Sequence, residues 1–170
     1  VYNKPMIYLP LYLLIKSGIK DILIIVNKKD LLLFKKLLGD GKKFGVKLTY
    51  KIQNKPNGIA ESFIISKKFL KNFRKVVLIL GDNFFYGGGL YKNIKNAINS
   101  DKNASIFTYR VSNPKDYGVL NIKNGSPNKI VEKPKNPNSN FAIPGLYVYG
   151  KNVVDSAKKL KPSKRGELEI

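Results

Sequence analysis

The apolar positions of this chain follow two different rhythms. Ile22-Leu23-Ile24-Ile25-Val26 and Val76-Val77-Leu78-Ile79-Leu80 are unbroken apolar runs rich in β-branched residues, the pattern of strands buried on both faces of a parallel sheet. Val46, Leu48, Tyr50 and Ile52 alternate with Lys47, Thr49 and Lys51, which predicts a strand with one wet face. Helical spacing fills the intervals. Leu31, Phe34 and Leu38 follow Asp30 as an N-cap, and Gly39 supplies the stop. Ile59 and Phe63 share a side after Gly58, and Leu90, Ile94, Ala97 and Ile98 form one amphipathic face. Residues 104–111, 118–122, 129–132 and 141–149 read as further strands. Asn152 caps a last helix that turns Val153, Ala157 and Leu160 inward.

Alternating β and α elements predict an α/β fold with a doubly wound, mostly parallel sheet, and antiparallel additions after residue 104. Residues 1–170 read as one domain, because no repeat or linker interrupts them; Asn136-Pro137-Asn138-Ser139-Asn140 suits a surface turn. No apolar run approaches the roughly 18–20 residues of a membrane helix. Pro5 and Pro10 break the first apolar stretch, so no signal peptide is expected and the expected compartment is the cytoplasm.

Composition changes this picture in two places. The 170 residues hold 32 Lys+Arg against 11 Asp+Glu, a formal charge of +21, which suggests a polyanionic partner. Yet Arg occurs only at 74, 110 and 165, the lysines are scattered, and Asn, Ile, Tyr and Phe are also abundant. An AT-rich coding sequence produces that joint excess, and the forked Arg contacts expected on nucleic acid are scarce. Nucleic acid is therefore not the expected partner. The chain also has no Cys and no His, which excludes thiolate nucleophiles, Cys-built zinc sites, imidazole bases and the Ser-His-Asp triad.

The remaining chemistry sits at segment ends. Gly81-Asp82-Asn83 directly follows an apolar strand, where open α/β sheets bind ligands. A carboxylate there, after a glycine, suits Mg²⁺, and equally suits a plain turn capped by Asp82. Gln53 leads a loop through Gly58 into a helix start; its amide can read a base edge, although loop and cap residues have the same composition. In Glu132-Lys133-Pro134 a carboxylate could take sugar hydroxyls and a lysine could neutralise a phosphate, or the two could be a surface pair. Arg165 beside Gly166 could fork a phosphate or pair with a neighbouring acid. Gly87-Gly88-Gly89 lacks the spacing and Lys of a P-loop and carries no phosphate role.

Taken in order, these segments resemble the sugar nucleotidyltransferase family, and within it the glucose-1-phosphate thymidylyltransferases (dTDP-glucose pyrophosphorylases). The matching stretches are Lys4-Pro5-Met6-Ile7-Tyr8, Gly18 to Ile25, Leu38-Gly39-Asp40-Gly41, Tyr50-Lys51-Ile52-Gln53 with Gly58-Ile59-Ala60, and Leu80 to Gly87. Asp116-Tyr117-Gly118-Val119, Glu132-Lys133-Pro134, Gly145-Leu146-Tyr147 and Arg165 to Ile170 complete the set. The resemblance implies a Rossmann-like nucleotidyltransferase sheet and a Mg²⁺-dependent, in-line attack of the glucose 1-phosphate oxygen on the α-phosphorus of dTTP. No protein nucleophile is needed, so catalysis rests on positioning and charge neutralisation.

Carried over by motif, Gln53 and Gly58 would hold thymine, Asp82 would bind Mg²⁺ and Asn83 would lie beside it. Tyr117, Gly118, Glu132, Lys133 and Gly145 would line the sugar-phosphate pocket. Arg165 would contact the sugar phosphate, and Asp82, Lys133 and Arg165 would carry the catalytic charge. The resemblance also implies a homo-oligomer, a tetramer, at full length. The family's Gly-Gly-x-Gly-Thr-Arg-Leu segment, its following lysine and a second metal-binding Asp are absent, and Pro144 replaces a small polar or β-branched residue. The chain is therefore expected to be the middle of a longer enzyme, without its central strand and inactive alone. The rivals are a non-catalytic regulatory domain of the same fold, a nucleotidyltransferase using another NTP, and a basic nucleic-acid-binding domain.

Overall fold

The computed structural model describes residues 3–163 and 166–169. Helix α1 (Tyr8–Lys16) was not foreseen in the sequence. Pro10 lies in the first turn, where a backbone N–H has no intrahelical acceptor to lose. Leu11 and Leu14 of α1 then bury against strand β1 (Asp21–Val26) and strand β2 (Lys47–Ile52). These strands pair in parallel, from Asp21 opposite Lys47 to Val26 opposite Ile52. Helix α2 (Leu31–Leu38) connects them and ends at Gly39, whose φ of +66° is easy for glycine. Asp30 makes no capping bond; a short 3₁₀ turn precedes α2, and the Asp30 carboxylate accepts from Asn27 Nδ2 at 3.1 Å instead.

Helices α3 (Glu61–Ile65) and α4 (Lys67–Leu70) lead to strand β3 (Lys75–Ile79), and helix α5 (Leu90–Asn99) buries Ile94. The remaining elements are β4 (Ala104–Ile106), β5 (Tyr109–Arg110), β6 (Gly118–Lys123), β7 (Ser126–Glu132), β8 (Phe141–Ile143), β9 (Leu146–Gly150) and α6 (Val153–Lys159). The α/β class holds, and the sheet is divided. Among the described residues β1–β2 is parallel, while β3-β9-β4 and β5-β8-β6-β7 are antiparallel sheets. The expected mostly parallel sheet is therefore corrected to one parallel pair beside two antiparallel sheets. The cause is β9, which takes one edge of β3 from the opposite direction.

Two of the long strands read from the sequence are each two strands in different sheets. Residues 141–149 break at Pro144-Gly145 into β8 and β9, because Pro144 has no N–H for a ladder. Residues 104–111 break into β4 and β5. The strand expected over 129–132 starts earlier, at Ser126, as the second arm of a hairpin. Its turn is Asn124-Gly125, with φ of +51° and +73°, the pair of left-handed residues that a tight hairpin turn favours.

Among the described residues, strands β1 and β3 each keep one unpaired edge. A cavity of about 270 Å³ lies between them, lined by Leu23 and Ile25 from one and by Val77 and Ile79 from the other. Leu23, Ile25 and all of β3 are consequently half-buried, where the apolar runs predicted burial on both faces. Ser62 Oγ is buried and has no hydrogen-bond partner among the described residues, and it borders this slot. Open apolar strand edges invite pairing with another chain. Residues 1–170 on their own are expected to self-associate in sedimentation velocity and to melt over a broad range. A monomer with a sharp two-state melt would contradict this.

Candidate active site

The loop leaving β2 is fixed before any ligand is considered. Gln53 N donates to Val26 O at 3.0 Å, which extends the β1–β2 ladder by one residue. Leu168 N donates to Asn57 O at 2.8 Å and Ala60 N donates to Leu168 O at 3.1 Å, so residues 57–60 are clamped onto the segment 166–169. Gly58 has φ of +101°, and a Cβ there would overlap the Leu168 main chain. The close approach that this glycine permits is thus an approach of the chain to itself. Below the loop, Ala60 and Phe63 bury against Val154 and Ala157 of α6.

Side-chain bonds complete the loop. Gln53 Nε2 donates to Glu61 Oε2 at 2.6 Å and to Gly58 O at 3.3 Å. Asn57 Nδ2 donates to Glu61 Oε1 at 2.8 Å. Gln53, Gly58 and Ile59 border a second cavity of about 390 Å³, whose other wall includes Leu80, Gly81 and Glu167. This cavity also touches Ile25 and Ile79, so it lies beyond the carboxyl ends of β1, β2 and β3 together, as expected for a ligand site in an open α/β sheet.

The turn after β3 is set by Gly145. Leu80 N donates to Gly145 O at 2.9 Å, and Asn83 N bonds back to Leu80 O at 3.4 Å. Gly145 is buried, and a Cβ on it would overlap the Leu80 side chain and Asn83 Nδ2. Asp82 lies exposed at the tip of this turn, and its carboxylate has no hydrogen bond or ion pair with a described residue. No group of three acidic, His or Cys side chains able to hold a metal exists among the described residues. Asp82 is thus a single hard oxygen donor, which fits a Mg²⁺ that arrives on phosphates and does not fit a preformed protein cage.

The third group lies at one end of the β6–β7 pair. Gly118 stands opposite Glu132 on β7 and opposite Ile143 on β8. The Glu132 carboxylate lies across Gly118, 3.1 Å from where a Cβ would be. Lys133 turns out of the strand with φ of +40°, and its N–H donates to Tyr117 O at 3.0 Å. Both Tyr117 and Lys133 are exposed. Burial, and secondarily the Glu132 charge, push the Tyr147 phenol above its ordinary pKa, so Tyr147 backs this group from β9.

The structure therefore assembles Gln53 with Gly58 on one cavity, Asn83 with Gly145 in contact, and Tyr117, Gly118, Glu132 and Lys133 at one strand end. Arg165 lies outside the described residues. Two residues went unrecognised in the sequence. Glu61 has no signal there, because its value comes from folding back onto Gln53 across eight residues. Glu167 lines the cavity only because residues 166–169 return to the loop.

The Nucleotidyl transferase family profile matches residues 1–170. The chain is 47% identical to the glucose-1-phosphate thymidylyltransferase of Neisseria meningitidis, across all of this chain and 59% of that protein. It is 44% identical to the enzyme of that name from Mycobacterium tuberculosis, with the same two coverages of 100% and 59%. The chain thus spans about three fifths of the length of these curated relatives, 59% in both cases. A candidate glucose-1-phosphate thymidylyltransferase from Bacillus anthracis, solved with a sucrose, superposes with a TM-score of 0.86 at 38% identity, over 95% of this chain and 65% of that one. UDP-glucose pyrophosphorylase complexed with UDP-glucose superposes with a TM-score of 0.83 at 17% identity, over 99% of this chain and 72% of that one, a likeness of fold.

The packing around Gly145 leads to a direct test. Gly145→Ala forces Leu80 and Asn83 aside, and overpacking of this kind costs about 1–3 kcal/mol. Urea unfolding of the full-length protein is expected to show that loss, whereas Gly88→Ala, which meets nothing within 4 Å, is expected to leave the midpoint unchanged.

Proposed function

The chain belongs to the nucleotidyl transferase family, and from that premise we propose that it carries the base-, metal- and sugar-phosphate-binding residues of a glucose-1-phosphate thymidylyltransferase. The observation that carries this reading is the 390 Å³ cavity, which Gln53 and Gly58 border from one loop and Gly81 borders from another. It joins a hydrogen-bonding amide to the residue preceding a free carboxylate. Thymine fits the amide end, because its imide N–H can donate to the Gln53 amide oxygen. The triphosphate then extends towards the Gly81-Asp82-Asn83 turn.

In the reaction, an oxygen of the glucose 1-phosphate phosphate attacks the α-phosphorus of dTTP. The bond from that phosphorus to the bridging oxygen breaks, and pyrophosphate leaves. Asp82 would hold Mg²⁺, which would supply charge neutralisation on the triphosphate. Lys133, exposed and carrying its charge beside Glu132, neutralises the sugar phosphate, while the Glu132 carboxylate accepts from sugar hydroxyls. Gly118 leaves room for that carboxylate, and Tyr117 flanks it. Arg165 adds a forked phosphate contact in this reading. The chain's own part is to hold the two phosphates in line, which is where most of the rate enhancement of such sites arises.

Two substitutions in the full-length protein test the reading. Gln53→Ala removes the base contact, and with a hydrogen-bonded pair worth roughly 1–3 kcal/mol when one partner is left unmatched, the KM for dTTP is expected to rise by about tenfold or more. Asp82→Asn keeps the shape and removes the charge; kcat is expected to fall by about a hundredfold, with the thermal melt unchanged. Turnover is measured as pyrophosphate release with dTTP and glucose 1-phosphate. Normal turnover of Asp82→Asn at saturating Mg²⁺ would remove Asp82 from the metal.

A further inference from the structure

Glu61 is tied to the candidate base-reading residue more closely than any other side chain. Its two carboxylate oxygens accept from two different amides, Oε2 from Gln53 Nε2 at 2.6 Å and Oε1 from Asn57 Nδ2 at 2.8 Å. Gln53 Nε2 also donates to Gly58 O at 3.3 Å. A carboxylate and a carbonyl oxygen can only accept. The end of the Gln53 amide facing them must therefore be the NH₂, and the orientation of this amide follows from the chemistry of its neighbours. Both Nε2 hydrogens are engaged within the protein. Oε1 accepts nothing from the described residues, and it is the one hydrogen-bonding atom that Gln53 has left for the cavity it borders.

A free glutamine amide is ambidextrous. It turns over and presents either a donor or an acceptor to a ligand at little cost. Turned over here, Gln53 Oε1 would meet the Glu61 carboxylate, two acceptors at about hydrogen-bonding distance. Asn57 holds the other carboxylate oxygen, so Glu61 cannot swing aside without breaking that bond too. We propose that Glu61 is a positioning residue that locks the Gln53 amide with its carbonyl oxygen towards the pocket, so that the site accepts a base edge with an N–H donor at that point and rejects one with a lone pair. The inference rests on the reading that Gln53 contacts the base.

Thymine presents N3–H, a donor, to a locked acceptor. Cytosine in the same ring pose presents N3 as a lone pair and is repelled, unless Gln53 turns over. Discrimination between the two bases then depends on Glu61, although Glu61 touches neither. The neutral isostere removes the lock and keeps the shape. In Glu61→Gln, the new amide can itself turn over to match either orientation of Gln53.

The test compares dTTP and dCTP as substrates with glucose 1-phosphate in the full-length wild-type protein, Glu61→Gln, Glu61→Ala and Gln53→Ala, with a thermal melt of each. The ratio of kcat/KM for dTTP to that for dCTP is expected to fall by about tenfold in Glu61→Gln, chiefly through a lower KM for dCTP. The kcat with dTTP and the melt are expected to stay near wild type. Glu61→Ala is expected to shift the ratio in the same direction, and if it folds poorly Glu61→Gln decides. A purely structural Glu61 would change both nucleotides' KM values together and leave the ratio alone. A wild-type ratio in both Glu61 variants, with the ratio lost in Gln53→Ala, would overturn the lock. A wild-type ratio in Gln53→Ala would instead show that Gln53 does not read the base, and the lock would fall with that reading.

Discussion

The approach of Gly145 to the turn after β3 is the constraint on which the rest of the site depends. The residue is the second half of Pro144-Gly145, the two-residue step from β8 in one antiparallel sheet to β9 in another. Its carbonyl accepts from Leu80 N, and its lack of a side chain lets Leu80 and Asn83 close over it. One residue type at one position therefore bears on two things. It shapes the turn that carries Asp82, and it closes the end of the β3–β9 pairing. Pro144 helps by ending the β8 ladder where the chain must change sheets.

The two halves of the site use different physics. The Gln53 side, proposed to hold the base, is neutral in what it offers to a ligand. Its charged group, Glu61, is consumed in orienting two amides and is not presented to the cavity. Hydrogen bonds of fixed polarity suit a task in which bases differ only in donors and acceptors. The phosphate side is the reverse. Asp82 and Lys133 are exposed, and their charges are not spent on described partners. Groups left this way can neutralise a bound phosphate or hold its counterion. A formal charge of +21 gives the surface a positive field that favours anionic ligands in general, and under the proposed reading that is a use for the lysines that needs no nucleic acid.

The open slot between β1 and β3 explains why the apolar runs misled in one respect. Five consecutive apolar residues predicted a strand covered on both faces, and Leu23, Ile25 and the whole of β3 are only half-covered. The residues record a demand for burial, and the described chain meets it on one side. Ser62, buried with an unpartnered hydroxyl beside the slot, is a second sign of the same unmet demand.

The sequence by itself determined the α/β class, the strands β1, β2 and β3, and the helices α2 and α5. These follow from local properties: apolar periodicity and glycine stops. It did not determine strand direction. The pattern of Val76 to Leu80 is the same whether the neighbour runs parallel or antiparallel, and only the path of β9 makes the pairing antiparallel. Nor could it divide residues 141–149 between two sheets, since Pro144 signals a break and says nothing about where each half pairs. The hairpin turn at Asn124-Gly125 went unread although its signal is local, since the pair needs no distant partner to adopt positive φ. Glu61 and Glu167 were not readable, because a carboxylate acquires a role from what the fold brings within about 3 Å of it, and that distance is decided by elements far apart in the chain.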